Sequence, residues 1–488
     1  MSALAGRSGR YLLLYGGALL VAVVVGAAVA YSERFGGDNG PYILLGTLLG
    51  IAVAGAILLQ WRLGALLLAA AIPLQTLVNL GPVLSGMKGL GLLTFFSFAL
   101  ALLLDQKLFE RFARLWQQPL ALTVFAFVLW VSASILWALD DGNAMRTTIT
   151  FLGLLGLSIV FGALERRYLV LALAAFAFSA ALSVPAGYIL PVPEGSDMAV
   201  SGRFGPAGAG PNTYSLIVAI AFFVAYFGLL RRHRKVAYLL APVFIYGIFA
   251  TQSRTGLIAL VATPLLALFV PGLAARLSWR ILPLYALGAA AIAAIVLAIP
   301  SVGESALERY MTLSEVGSEE TWNGRLANWG GALDVIASHP ILGVGAGNYA
   351  EAALDYSESV QAHSARGGEL SGATHNVVLS VTSELGLVGL ILFLGILYFA
   401  FKTAWLIAQR SDLGMGIFLG LVVAMIGGMT QPWEKQKIVY VLFGSVLALQ
   451  LHYSGRRSPS SAEQEGSADK GVVRTSLPGQ RRGRANGG

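Results

Sequence analysis

His375 and Asn376 stand where a long polar segment gives way to a very apolar run, and Gly386 and Gly389 follow eleven and fourteen residues after the histidine. An imidazole and an amide at such a boundary meet water on one side and hydrocarbon on the other, a place for chemistry on a lipid-linked substrate. At ~100° per residue, Gly386 and Gly389 fall within about 40° of the His375 azimuth. The spacing therefore predicts a helix with the histidine at its outer end and a glycine stripe below it, where another helix could approach closely. Glu384 falls on the opposite face, below the interface, where a carboxylate must be paired or protonated. On spacing alone, His375 reads equally as a polar residue at headgroup level.

Three arginines bear on the same chemistry. Arg203 lies in Ser201-Gly202-Arg203-Phe204-Gly205-Pro206, ahead of Pro211-Asn212. Arg254 lies in Ser253-Arg254-Thr255-Gly256, a turn squeezed between two apolar runs. Arg325 follows Trp322-Asn323-Gly324 at the opening of an amphipathic segment. All three fall in segments expected outside the cell, against the tendency of Lys and Arg to stay inside. A guanidinium fork suits phosphate oxygens, and a diphosphate offers several. The alternative is that each arginine holds helix C-terminal carbonyls or a lipid phosphate.

Weaker signals exclude other chemistries. Gly345-x-Gly347-x-x-Ala350 fits a dinucleotide fingerprint in form but lacks a preceding strand pattern. There is no Walker lysine motif, no HExxH, no DxD in an outer loop and no histidine cluster, so nothing suggests a metal. Asp140-Asp141 reads as a helix cap, His339 before Pro340 as structural, and Trp433 beside Lys435 and Lys437 as an interfacial aromatic.

The elements that must position these residues follow from composition. The 488 residues are 56% hydrophobic and 12% charged, against roughly 25% charged in soluble domains. That implies an all-α polytopic membrane protein. The net charge of +8 follows membrane topology and does not argue for nucleic acid. With no cysteine, disulfides and thiol catalysis are excluded. Apolar windows occur near 11–30, 41–60, 64–80, 88–105, 119–138, 148–164, 168–190, 211–230, 236–251, 256–272, 280–299, 376–401, 413–430 and 436–453. These predict about 12–14 transmembrane helices, the first retained rather than cleaved as a signal peptide. Arg231-Arg232-His233-Arg234-Lys235 is the firmest inner anchor, which puts the N-terminus inside and the loop 300–375 outside. That loop carries an amphipathic helix near 323–338, stopped by Pro340, and is patterned enough to pack on the outer surface. The expected organisation is N-terminal helices over 1–199, a catalytic region over 200–453, and a disordered cytoplasmic tail over 454–488, where anionic lipid headgroups could bind weakly.

Taken in order, these motifs resemble the O-antigen ligase and polymerase superfamily of bacterial membrane proteins. Ser253-Arg254-Thr255-Gly256 opens a helix, and Gly324-Arg325, Trp329 and His339-Pro340-Ile341-Leu342-Gly343-Val344-Gly345 follow in the outer loop. His375-Asn376 then leads to Gly386 and Gly389. The resemblance covers about 200–460; the first 190 residues match only as a succession of apolar helices. It implies a metal-independent, cofactor-free, inverting glycosyltransferase of the cytoplasmic membrane, acting on its periplasmic or extracytoplasmic face. The donor would be a glycan on undecaprenyl diphosphate, and the acceptor lipid A–core, another glycan or a protein hydroxyl. It implies catalytic roles for His375, Arg325 and Arg254, with His375 as base and the arginines as diphosphate clamps. Arg203, Asn212 and Asn376 would bind substrate. A polymerase of O-antigen or exopolysaccharide is the alternative within the superfamily. A lipid-linked oligosaccharide flippase is the alternative outside it, although no related halves are visible.

Overall fold

Helices form where the apolar runs lie, and polar residues between the runs set their ends. The computed structural model describes residues 40–74, 86–189, 203–206, 209–230, 233–274, 320–365 and 373–454. Among the described residues there is no strand. The first half holds α1 (Gly40–Leu59), α2 (Trp61–Ala71), α3 (Gly86–Leu104), α4 (Gln106–Leu115), α5 (Pro119–Ala133), α6 (Asp141–Ala163) and α7 (Arg166–Ile189). The second half holds α8 (Pro211–Phe223), α9 (Arg234–Ala250), α10 (Arg254–Leu268), α11 (Glu320–Ser338), α12 (Tyr349–Tyr356), α13 (Glu358–Ala365), α14 (Val377–Ala408), α15 (Asp412–Gly428) and α16 (Lys437–Ser454). Seven of these segments are long and apolar enough to cross a membrane. The chain is a polytopic membrane protein.

Twelve of the apolar windows correspond to helices. The windows 11–30 and 280–299, and the tail beyond Ser454, lie outside the described residues. The short amphipathic helix α4 was not among the expected elements. Asp105 caps it by accepting from the Lys107 and Leu108 amides. Asp140 caps α6 in the same way, as its position suggested. Ser253, Asn376 and Ser411 cap α10, α14 and α15, each side chain taking amides that the first helical turn leaves open.

Helices α6 and α16 run side by side in the same direction. Added Cβ atoms at Gly162 and Gly444 would meet Leu447 and Phe161, so their backbones pack closely. At the end of the bundle where α6 and α16 terminate, Arg111 donates to the Leu164 carbonyl at 2.6 Å. There Arg62 pairs with Glu165 at 2.6 Å. Arg62, Arg111 and Glu165 thus gather at one end of the bundle.

The opposite end carries His375. Over it lies a cap made by α11, α12 and α13, with its own small core of Ala332, Val335, Val344, Tyr349, Ala352, Ala353 and Val360. Leu379 of α14 packs against that core and joins it to the bundle.

Candidate active site at one end of the bundle

The glycine stripe expected below His375 does not exist as such. Helix α14 is broken at Gly386, whose φ of 66° and ψ of −169° are not helical. What approaches Gly386 is the loop between α11 and α12, not another helix: a Cβ there would sit 2.1 Å from the Ile341 carbonyl oxygen. The azimuth argument fails because it assumes one continuous helix from residue 375.

The loop satisfies the backbone groups that the break frees. Val344 and Gly345 amides donate to the Ser383 and Glu384 carbonyls at 3.1 and 2.9 Å. Leu387 and Val388 amides donate to the Pro340 and Ile341 carbonyls at 2.9 and 3.4 Å. The Trp130 indole nitrogen takes the Leu385 carbonyl at 3.0 Å. Irregular backbone inside a membrane protein needs such internal partners, because hydrocarbon offers none. Gly343, Gly345 and Gly347 all have positive φ, which lets the loop fold flat against α14 and the α5–α6 connection. So Gly345-x-Gly347 is a stitching loop, and no strand precedes it.

The carboxylate of Glu384 lies inside this junction, only 7% exposed. It accepts the Gly347 amide at 2.8 Å and pairs with Lys435 at 3.4 Å. Of the two states expected for this carboxylate, paired or protonated, the structure shows the pair. Lys435 belongs to the turn between α15 and α16, Trp433–Lys435. Trp433 in that turn is 2% exposed, so it is a core residue and not the interfacial aromatic expected from its lysine neighbours. Glu434, a residue that the sequence reading did not single out, is 3% exposed and accepts the Ser380 hydroxyl at 2.9 Å. An acidic residue in a five-residue break between two apolar runs was the available signal.

His375 precedes α14 with φ of 52°, a left-handed conformation. It is half-buried, and burial together with the Arg325 charge holds its pKa below the ordinary histidine value. Arg325 therefore lies within electrostatic reach of the imidazole, although fifty residues separate them in the chain. It sits in the second turn of α11 rather than at its start. The Trp329 indole donates to the Thr374 carbonyl at 3.0 Å, tying α11 to the residue before His375. Tyr349 donates to the Asn328 carbonyl at 2.6 Å and holds α11 to α12. Asn376 uses its side-chain oxygen to cap α14, accepting the Val378 and Leu379 amides at 2.9 and 3.2 Å.

Arg203, Asn212 and the Arg254 turn meet at the same end. Arg203 donates to the Asn212 side-chain oxygen at 2.9 Å and to the Thr251 carbonyl at 3.2 Å. Gly256, at the start of α10, packs on Ser215 at the start of the second turn of α8. The last turn of α15 bridges to α14: Gly427 packs on Leu216, and Gly428 on Val377. Three helix N-termini, of α8, α10 and α14, are thus neighbours at the His375 end. Each carries a positive dipole end.

These features describe a polytopic membrane protein with a polar, arginine-bearing site where helix starts converge. Residues 239–394 match the family described as O-Antigen ligase, about a third of the chain. The matched stretch spans Arg254, Arg325, His375 and the break at Gly386. Arg203, Asn212, Glu434 and Lys435 fall outside the matched stretch. No curated protein matches the chain.

Proposed function

We propose that this protein transfers a glycan from undecaprenyl diphosphate to an acceptor hydroxyl at the outer face of the cytoplasmic membrane, as an O-antigen ligase does. The observation that carries the reading is the coupling of His375 to Arg325 across the cap. With its pKa held down, the imidazole is neutral near pH 7 and able to take a proton. The acceptor oxygen attacks the anomeric carbon and its proton passes to His375. The anomeric C–O bond breaks with its electron pair leaving on the diphosphate, and the configuration inverts. Arg325 and Arg254 hold the leaving diphosphate, and three helix N-termini add to the positive field there. Arg203 and Asn212 bind substrate and fix the turn that carries Arg254. Asn376 contributes through its amide nitrogen, since its oxygen caps α14. The scheme uses no metal and no cofactor.

Residues 200–453 form the catalytic region in this reading, 1–199 the supporting helices, and 454–488 a cytoplasmic tail. The basic end with Arg62 and Arg111 would face the cytoplasm, which puts His375 outside. Reconstitution in liposomes with a radiolabelled lipid-linked glycan and lipid A–core is the test. Transfer without added energy is expected, and removing the His375 imidazole should slow it by about 10²–10⁴-fold. Full activity in a His375 variant would refute the base. Glycan chains built on a second lipid-linked unit would assign a polymerase instead. Transbilayer movement without transfer would assign a flippase.

A further inference from the structure

The turn between α9 and α10 holds a residue that its backbone does not favour. Gln252 has φ of 51°, in the left-handed region, and directly follows Thr251, which closes the C-terminal end of α9. Glycine, or sometimes asparagine, usually takes that position, because a larger side chain is strained there. Among the described residues only one other non-glycine has positive φ, and it is His375, the candidate base. Strain of this kind persists only where the surroundings fix it, and it gathers at working sites.

The surroundings do fix it. The Gln252 amide donates to the Phe249 carbonyl at 2.9 Å. On one side of it, the Thr251 carbonyl accepts from Arg203 at 3.2 Å, and the Thr251 hydroxyl donates to the Ile248 carbonyl at 2.6 Å. On the other, the Ser253 side chain accepts the Gly256 amide at 3.2 Å. Thr251 and Ser253 are fully buried, and their hydroxyls are spent on backbone groups. A Cβ on Gly256 would strike Ser215, so the turn is pressed onto α8. Gln252 and Arg254 alternate with the two buried residues and are partly exposed. The carboxamide thus belongs to the surface of the turn, between the carbonyl that Arg203 takes and Arg254 itself. Glycine at 252 would suit the backbone better and leave every one of these bonds possible. What glycine lacks is the carboxamide, which offers two donors and one acceptor without charge. The arginines suit phosphate oxygens; a neutral group that both donates and accepts suits the hydroxyl and acetamido groups of a sugar.

We propose that Gln252 is a substrate-binding residue that hydrogen-bonds the sugar next to the diphosphate, so that the site prefers lipid diphosphate bearing a glycan over the bare lipid diphosphate left after transfer. The proposal rests on the donor named above and adds a sugar contact to its site. It gives the strained turn a use: the left-handed backbone sets the carboxamide beside the arginines, and the preference helps the spent carrier to leave.

Equilibrium binding to the full-length protein in detergent tests this. The two probes are the radiolabelled lipid-linked glycan used for transfer and undecaprenyl diphosphate without a glycan. The unaltered protein should bind the first more tightly. Gln252→Gly should bind it about tenfold more weakly, while its affinity for the bare lipid stays the same. The same variant should melt at or above the wild-type temperature, because glycine relieves the left-handed strain. A loss of binding without a loss of stability is what a purely structural glutamine would not show. Gln252→Leu keeps the bulk and the strain but not the amide; it should match the glycine variant in binding, and it serves if that variant fails to fold. Unchanged discrimination in both variants would overturn the proposal. So would an equal loss for both lipids, which would mean that residue 252 only shapes the turn around Arg254, or a wild-type protein that binds the two lipids alike. Glycan-dependent binding through Gln252 without any transfer would sink the transferase reading alone. Wild-type transfer with unaltered binding in the variants would sink only the role of Gln252.

Discussion

Replacing Gly386 with alanine tests whether the broken helix holds this end of the molecule together. With φ of 66° and ψ of −169°, Gly386 occupies backbone space essentially closed to other residues, at a cost of ~1–3 kcal/mol for alanine. The new methyl would also lie 2.1 Å from the Ile341 oxygen, 2.3 Å from its carbonyl carbon and 2.6 Å from the Leu342 nitrogen. All three are backbone atoms and cannot swing away. The loop must withdraw, which endangers the four amide hydrogen bonds accepted by Ser383, Glu384, Pro340 and Ile341. At a net ~1 kcal/mol each, losing two or three of them together with the strain gives a destabilisation of about 3–6 kcal/mol.

The assay is thermal unfolding of purified protein, with Gly395→Ala as the matched control. Gly395 lies in the regular second half of α14, and a Cβ there would find only Thr123, at 3.6 Å. That substitution should be neutral or stabilising by up to ~1 kcal/mol. The Gly386 variant should unfold on the order of 5 °C lower or more. Matching melting temperatures in the two variants would refute the view that the loop is locked into the break.

Arg325→Gln should let the His375 pKa rise toward its ordinary value, so transfer would fail at higher pH as acid is added. An unmoved acidic limb of the pH–rate profile would disconnect the two residues. The sign in stability is the same: a neutral histidine with a depressed pKa stabilises above about pH 6.5, and this stability is lost as pH falls through the folded value. Glu384→Ala should cost about 1–3 kcal/mol, because Lys435 loses its carboxylate and the Gly347 amide its acceptor. Glu384→Gln keeps an acceptor for Gly347 and should cost less; equal unfolding temperatures would contradict this. Trp329→Phe should lower transfer several-fold with little change in melting temperature, since it frees the Thr374 carbonyl beside His375, and retained activity would count against that tether.

Much of the bundle was legible because hydrocarbon demands long apolar runs, and those runs are local. The ends of α6 and α10 were legible from Asp140 and Ser253, whose side chains cap whatever helix follows them. The break in α14 was hidden, because Gly386 and Gly389 sit at a spacing that a continuous helix also explains. What separates the two readings is the partner, the 339–348 loop, and that contact is long-range. Trp433 was misread for a related reason: flanking lysines suggest an interface, but Lys435 turns inward to Glu384 and carries the indole into the core. Glu434 carries no motif, and only its surroundings give it interest. For the arginines, type and turn position marked all three, while the connection between Arg325 and His375 depends on how α11 docks across α14.

Two residues with positive φ, His375 and Gly386, bracket the short helix formed by 377–385. Two of its buried polar residues bond outward, Ser380 to Glu434 and Glu384 to Lys435 and Gly347. This segment is therefore oriented by the turn and the loop, independently of the membrane-spanning half after the break. Its left-handed start aims the imidazole, and that bears on how the base should be tested. Alanine at 375 pays roughly 1–2 kcal/mol for the left-handed backbone and removes the imidazole in one step. Asparagine tolerates that conformation and lacks only the base. His375→Asn should keep the wild-type melting temperature and lose transfer as completely as His375→Ala, which should also melt lower. If the asparagine variant transfers glycan at the wild-type rate, the role of His375 lies in shaping the turn and not in accepting a proton.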